Sequence, residues 1–308
     1  MNTDFPDDIF INETANYKYI INASEKICKD KSIIFCGIAR DVAENLQLNI
    51  DRLHLTGKMF KSYQIFIYEN NSIDDTKQIL EKNKSTNLIH YSDTREDSDY
   101  RSKIDTPQDP WHYNRCKVLS HCRNKYISYV QSLQEKPDYV CVLDLDLKGG
   151  WSYNGFRHSI FILEQENNIG CVSAYGVLAD KLGSDTLEQH HVKNYLMYDS
   201  FAFRPLCYLN KGLHMLKTRI FNNLVCTSEM EPINVCSNFG GMAIYKIKAF
   251  LDGEQYSAKN WADDLSPFVD PDHVNFHRNM IAKNWKILLN PPFIVSYSHH
   301  KFSKQVSQ

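Results

Sequence analysis

The sequence predicts an α/β fold, a three-layer α/β/α sandwich around a mostly parallel central sheet. Short apolar runs rich in β-branched and aromatic residues recur along the first half of the chain: Ser32–Ala39 (SIIFCGIA), Gln64–Tyr68 (QIFIY), Leu88–Tyr91, Tyr139–Leu143 (YVCVL) and Ile169–Val177. Segments with helical spacing separate them, the alternation expected of a parallel sheet. The longer runs are apolar at nearly every position rather than at alternate ones, which marks strands covered on both faces.

Taken in order, residues 1–30 read as an irregular lead-in with a short helix. After the first strand, Val42, Leu46, Ile50 and Leu53 share one face of a helix over Arg40–Leu55. The second strand ends in a polar turn, Glu69–Asp75, that opens a helix over Thr76–Lys82. Ser92–Pro110 is polar and ends in prolines, so it reads as a surface loop. Tyr113–Leu133 is a long helix, Tyr153–Gln165 a further helix and Lys286–Asn290 the last strand. Residues 31–300 form one domain in this reading, regular over 31–177 and richer in aromatics and glycine turns over 178–300, with a tail at 301–308.

Composition narrows the class. The 308 residues are 43% hydrophobic and 23% charged, an ordinary globular balance that needs no disulfide or structural metal to support a core. A formal net charge of -2 lacks the basic footprint of a nucleic-acid binder, so no nucleic-acid partner is expected. The nine cysteines contain no CxxC pair, which argues against a zinc ribbon or a dithiol redox motif. They read as reduced thiols, and the expected compartment is the cytoplasm. The acidic first residues lack the apolar stretch of a signal peptide, and no apolar run is long enough to predict a transmembrane segment.

The chemistry concentrates where strands end, the place where ligands bind in open α/β sheets. Asp144 and Asp146 follow the fourth strand with one residue between them. Alternate side chains of an extended chain share a face, and two carboxylates there repel unless a cation or a proton lies between them. A hard divalent ion such as Mn²⁺ or Mg²⁺, completed by substrate phosphates, satisfies such a pair. Aspartyl-nucleophile phosphatases also place Asp-x-Asp after a strand. They usually carry Thr or Val two residues beyond, where this chain has Lys148.

Other segments follow in a definite order. Gly37-Ile38-Ala39-Arg40-Asp41 closes the first strand, and the turn Glu69-Asn70-Asn71-Ser72-Ile73-Asp74-Asp75-Thr76 closes the second. Arg115-Cys116-Lys117 and Arg123-Asn124 lie on the long helix before the Asp pair. Tyr198-Asp199-Ser200-Phe201-Ala202-Phe203-Arg204 comes next, then Cys236-Ser237-Asn238-Phe239-Gly240-Gly241 ahead of an apolar strand. Asp270-Pro271-Asp272-His273-Val274-Asn275-Phe276-His277 follows, and Ser298-His299-His300 stands after the last strand.

In this order the segments resemble the GT-A class of nucleotide-sugar glycosyltransferases, and more narrowly the capsule-associated α-1,3-mannosyltransferase-like family. The resemblance spans about residues 32–300 and implies a GT-A-like, Rossmann-related fold, with 31–177 as the nucleotide-binding half and 178–300 as the acceptor half. It implies a UDP- or GDP-sugar donor and a glycan or other hydroxyl acceptor. Ala39, Arg40, Glu69, Asn71, Ser72 and Asp75 would then hold the nucleoside, where a carboxylate accepts hydrogen bonds from ribose hydroxyls. Ser72 or Asp74 equally fits the N-cap of the following helix. Arg115, Lys117 and Arg123 would face the diphosphate, or lie on a solvated basic helix face. Asp144 and Asp146 would hold the metal, with His299 or His300 completing its shell. Gly240 and Gly241 would lie beneath the donor sugar, where the lack of a Cβ lets backbone approach a ligand. Asp272 and His273 would face the acceptor, although Asp272 stands where relatives often carry Glu and Pro271 where many carry Cys.

The implied reaction is hexosyl transfer through an oxocarbenium-like transition state. In an inverting enzyme Asp272 or His273 takes the acceptor proton; in a retaining one a donor phosphate oxygen does so. Trp261, Asp263, Asp264, Glu229 and Glu231 read as solvated loop residues. Two other readings compete: a metal-dependent phosphatase or hydrolase built on Asp144, and a non-catalytic carbohydrate-binding protein. A nucleotidyltransferase would need a first-strand turn richer in glycine than Gly37-Ile38-Ala39-Arg40.

Overall fold

The computed structural model describes residues 14–94, 113–179, 195–199, 201–205, 229–258 and 270–297. The elements are α1 (Ala15–Asp30), β1 (Ser32–Ala39), α2 (Ala43–Gly57), β2 (Ser62–Asn70), α3 (Thr76–Asn83), β3 (Leu88–Asp93), α4 (Tyr113–Ser132), β4 (Tyr139–Asp144), β5 (Gly150–Trp151) and α5 (Tyr153–Leu163). They continue with β6 (Ile169–Ala179), β7 (Tyr195–Met197), β8 (Arg204–Pro205), β9 (Ile233–Ser237), β10 (Met242–Lys246), α6 (Ile247–Asp252), α7 (Asp272–Ala282) and β11 (Lys286–Ser296).

The strands form one sheet in the order β3-β2-β1-β4-β10-β6-β11-β9-β8, with β5 on β11 and β7 on β6. β3, β2, β1 and β4 are parallel neighbours, and β6 and β11 are parallel to each other. β10 runs antiparallel to both β4 and β6, so those two strands point the same way across it. The sheet is therefore largely parallel in direction, as expected, with β10, β9 and the short strands β5 and β7 running against it.

Both faces are covered, and the strand alternation shows how. Ile34, Cys36, Val140 and Val142 point into one core, closed by Tyr126 and Val130 of α4, Phe250 of α6 and Phe276 and Met280 of α7. Ile33, Phe35, Cys141 and Leu143 point into the other, closed by Leu46, Ile50 and Leu53 of α2, Leu80 of α3 and Phe156, Ile160 and Leu163 of α5. One period-2 strand thus supplies two hydrophobic layers, which is why its sequence reads as an unbroken apolar run. No helix among the described residues is long and apolar enough to cross a membrane. The seven described cysteines are all buried and none forms a disulfide.

Most boundaries shift by a residue or two from the sequence reading, and three differences have a clear physical reason. The segment read as an irregular lead-in carries the 16-residue helix α1. Thr14 caps it by accepting from the Tyr17 N–H at 3.1 Å, and Tyr17, Ile20, Ser24 and Cys28 form its buried stripe against α5. α2 starts at Ala43 rather than Arg40, because Asp41 takes a left-handed conformation (φ 51°) that a helix cannot contain. β11 continues through Pro291-Pro292 to Ser296, with its pairing to β6 shifted between Asn290 and Ile294. The shift accommodates two residues that have no N–H to give to a ladder.

Candidate active site

The carboxyl ends of β1, β2 and β4 open into a cavity of ≈ 510 Å³. Ile38 and Ala39 of β1, Asn70 of β2 and Asp144 of β4 line it, with Arg40, Leu145 and Asp146 from the turns beyond. α4 contributes Arg115 and Arg123 from one side, and the start of α7 contributes Asp272 and His273. Tyr198, Asp199, Phe201, Ala202 and Phe239 complete the wall. Eight residues expected to handle substrate or metal are therefore gathered in one recess: Ala39, Arg40, Arg115, Arg123, Asp144, Asp146, Asp272 and His273.

Asp144 is held on three sides. Its N–H donates to the Gly241 carbonyl at 2.9 Å. Its Oδ1 accepts from Arg123 Nη2 at 3.3 Å, and its Oδ2 accepts from the Tyr297 hydroxyl at 2.6 Å. Tyr297 is itself fixed by a stacked contact with Tyr198. Arg123 also pairs through Nε with Asp272 Oδ2 at 2.6 Å, so one guanidinium bridges two carboxylates. Phe239 and Tyr256 present ring faces to that guanidinium at 5.1 and 5.9 Å.

The electrostatics follow from this packing. Asp146 keeps a solvent-exposed side, yet partial desolvation and then the charge on Asp144 push its carboxyl up to about 6. Burial raises the Asp272 carboxyl and Asp144 raises it further, while Arg123 pulls it back. His273 is stacked on Phe239 at 3.8 Å between centroids. Burial, helped by the Arg123 charge, holds its imidazole well below the ordinary histidine range. His273 is thus neutral, and both its ring nitrogens are buried with no hydrogen-bond partner among the described residues.

Other expected donor-binding residues have structural tasks. Glu69 is fully buried, and its Oε1 accepts from the Ser72 N–H at 2.8 Å. Ser72 Oγ accepts from the Asp41 N–H, Thr76 Oγ1 from the Val42 N–H and Asp74 Oδ2 from the Ala43 N–H, at 2.9–3.1 Å. The Glu69–Thr76 turn therefore satisfies the N–H of Ala43, the first residue of α2, and those of the two residues leading into it, and the N-cap Val42 offers no side-chain cap. Asn71 has a left-handed backbone (φ 55°) and Asp75 is an exposed N-cap of α3 without a side-chain cap bond. None of Glu69, Asn71, Ser72 and Asp75 lines the cavity. The alternative capping role of Ser72 and Asp74 is the one seen: both serve the start of α2, and Asp74 Oδ1 also accepts from the Thr76 N–H at 3.0 Å at the start of α3.

Gly240 and Gly241 also lie behind the cavity wall. Their φ values are +62° and +89°, and a Cβ on Gly240 would meet the Ala174 carbonyl oxygen. A Cβ on Gly241 would meet the Tyr297 hydroxyl. The pair lets the 238–241 turn pass between β6 and Tyr297, and Asn238 pins it by donating to Ser173 Oγ and the Ala174 carbonyl. Lys117, Glu229 and Glu231 are exposed and outside the cavity. His299, His300, Trp261, Asp263 and Asp264 lie outside the described residues.

Sequence reasoning missed Tyr297, Asp199 and Phe239 as site residues. Asp199 had a signal, a lone acid within an aromatic segment, whereas Tyr297 had none beyond following a strand.

A divalent ion needs a suitable donor set. Among the described residues no group of three or more His, Cys, Asp or Glu side chains converges as a closed metal site would. An ion that takes one or two carboxylates and leaves its other positions to phosphates and water needs only the Asp144–Asp146 pair. The mutual repulsion that raises Asp146 is the condition such an ion relieves.

No family model matches the sequence, and no curated protein matches it. Among solved structures, the chain is similar to GalNAc-T7 with UDP, GalNAc and Mn²⁺, at a TM-score of 0.49 and 11% identity, over 89% of this chain and 44% of that one. It is similar to the mannosyltransferase PcManGT from Pyrobaculum calidifontis in complex with GDP-Man and Mn²⁺, at a TM-score of 0.49 and 10% identity, over 96% of this chain and 70% of that one. A third similar structure is TarS of S. aureus, at a TM-score of 0.42 and 10% identity, over 86% of this chain and 60% of that one. The chain thus spans less than half the length of GalNAc-T7 and well under two thirds of the TarS chain.

Proposed function

We propose that this protein is a metal-dependent glycosyltransferase that moves a sugar from a nucleoside diphosphate donor to a hydroxyl acceptor. The observation that carries the reading is the placing of Asp144 and Asp146 in one cavity with Arg40, Arg115 and Arg123, at the carboxyl ends of parallel strands. Paired carboxylates bind a hard cation, and neighbouring guanidiniums bind phosphate oxygens. Asp144 and Asp146 would hold a divalent ion, which would supply positive charge against the departing diphosphate, an effect worth several kcal/mol.

The chain's own groups divide the remaining work. Arg115 and Arg40 offer donors to the diphosphate, and Ala39 and Asn70 bound the end of the cavity that would take the nucleoside. Tyr297 and Arg123 hold the Asp144 carboxylate in one orientation. Asp272 serves as base better than His273 does, because its carboxyl is raised towards the range useful at neutral pH whereas the imidazole is depressed away from it.

A thermal-shift series tests this reading. UDP, GDP and their hexose conjugates are each added with MnCl₂ and with EDTA. A ligand at 100 times its Kd adds about 2.7 kcal/mol to stability. The expected result is a Mn²⁺-dependent rise in Tm with one nucleotide class, lost in Asp144→Asn. No shift with any nucleotide overturns the proposal and favours the hydrolase or carbohydrate-binding alternative.

A further inference from the structure

Strand order gives the cavity a direction. β2, β1 and β4 adjoin in that order, followed by β10 and β6. Asn70 ends β2, Ala39 ends β1 and Asp144 ends β4; beyond β4 the wall comes from Phe239, ahead of β10, and from Asp199, which follows the strand paired with β6. A nucleoside diphosphate sugar is linear in the same way, with nucleoside, two phosphates and sugar in succession. With the diphosphate at Asp144 and Asp146 and the nucleoside towards β1 and β2, the sugar falls on the β10–β6 side. This step rests on the donor-site reading above.

Asp199 is a carboxyl group on that side with unused bonding capacity among the described residues. The Gly240 N–H donates to its carboxyl, while its Oδ2 is buried and has no hydrogen-bond partner among the described residues. Buried oxygens without partners are rare in folded proteins and invite a ligand. The backbone at Asp199 is left-handed (φ 58°), a conformation that costs free energy and is held here by the surrounding turn. Burial, and then the charges on Asp144 and Asp272, push the Asp199 carboxyl up to about 8 against the pull of Arg123. A buried carboxyl oxygen without a partner among the described residues, set in the cavity wall, is suited to hydrogen-bonding a sugar hydroxyl.

We infer that Asp199 determines specificity for the transferred sugar by hydrogen-bonding one of its hydroxyls. His273, with two partnerless ring nitrogens on the same wall, offers the next polar contact.

The test is calorimetric titration of the full chain in MnCl₂ with UDP, GDP and their glucose, galactose and mannose conjugates, read as the affinity ratio of each conjugate to its bare nucleoside diphosphate. Asp199→Ala is expected to lower that ratio about tenfold for the preferred conjugate, the loss of one buried hydrogen bond, while binding of the bare nucleotide stays within about twofold. Asp199→Asn keeps a hydrogen-bonding side chain of the same size in place and retains most of the ratio. An unchanged ratio in Asp199→Ala overturns the inference, as does Asp199→Asn falling as far as Asp199→Ala. If the wild-type chain binds neither nucleotide nor conjugate, the donor site itself is withdrawn and this role with it, an outcome separate from the other two.

Discussion

The hydroxyl of Tyr297 donates to Asp144 Oδ2 at 2.6 Å across a separation of 153 residues. The contact fixes the carboxylate at the mouth of β4 from the far side of the sheet. Removing it with Tyr297→Phe keeps the ring stacked on Tyr198. Metal ligands that lose an orienting partner typically bind 10- to 100-fold more weakly, and a loss of about that size in Mn²⁺ affinity is expected, read by titrating Mn²⁺ against Tm. Unaltered affinity would mean that Tyr297 does not orient a metal ligand.

Arg123 neutralises Asp144 and Asp272 together, with its side chain only 5% exposed. Breaking a buried pair by removing one partner costs about 3–5 kcal/mol. Arg123→Ala should lose stability of that order in urea unfolding. Asp272→Asn in the same chain should restore part of the loss, because one of the two stranded charges is then gone. Additive losses would show that the bridge carries little coupling.

Asp146 has a folded-state value of about 6, above the value of about 4 in an unfolded chain. The fold therefore favours the neutral acid. Its contribution is fully present below about pH 4 and is lost as the pH rises through about 6. In chelator, Asp146→Asn should melt higher than wild type above pH 6, with the gap closing towards pH 4. A gap independent of pH would remove Asp146 from the coupled pair. Saturating Mn²⁺ should reverse the order at pH 7, since only the wild type then gains a ligand.

Gly240 combines a positive φ with a backbone carbonyl in the space a Cβ would need. Backbone cannot swing aside as a flexible side chain can, so Gly240→Ala is expected to cost about 2–3 kcal/mol. Differential scanning calorimetry of the two proteins decides this, and an equal Tm would show that the 238–241 turn relaxes freely.

Much of the architecture was legible because burial on both faces leaves a plain trace: Ser32–Ala39 and Tyr139–Asp144 are apolar at almost every position, and both lie in the middle of the sheet. The carboxylate pair was legible for a related reason, as an abrupt change from apolar to acidic residues at a strand end. Pairing partners were not legible. Nothing local in Met242–Lys246 says that it inserts antiparallel between β4 and β6, since an apolar pentapeptide fits either direction. The Glu69–Thr76 turn misled because capping and ligand binding select the same residue types, acids and hydroxyls that accept from N–H groups. Only the position of the Asp41, Val42 and Ala43 amides tells them apart. The full length of α1, read only as a short helix in an irregular lead-in, was hidden by its polarity, with four buried positions in sixteen residues.

The insertion of β10 beside β4 also dictates an order of events during synthesis. A ribosome that has delivered β1 to β4 has made the strand that carries Asp144, but β4 then lacks its neighbour on the β10 side until residues 242–246 have emerged. The Tyr297 hydroxyl arrives later still. The nascent chain must therefore hold an open β4 edge through the making of about a hundred residues, an interval in which an unpaired strand is exposed to mispairing. The contacts that hold the Asp144 carboxylate are complete only when nearly all the described chain is present.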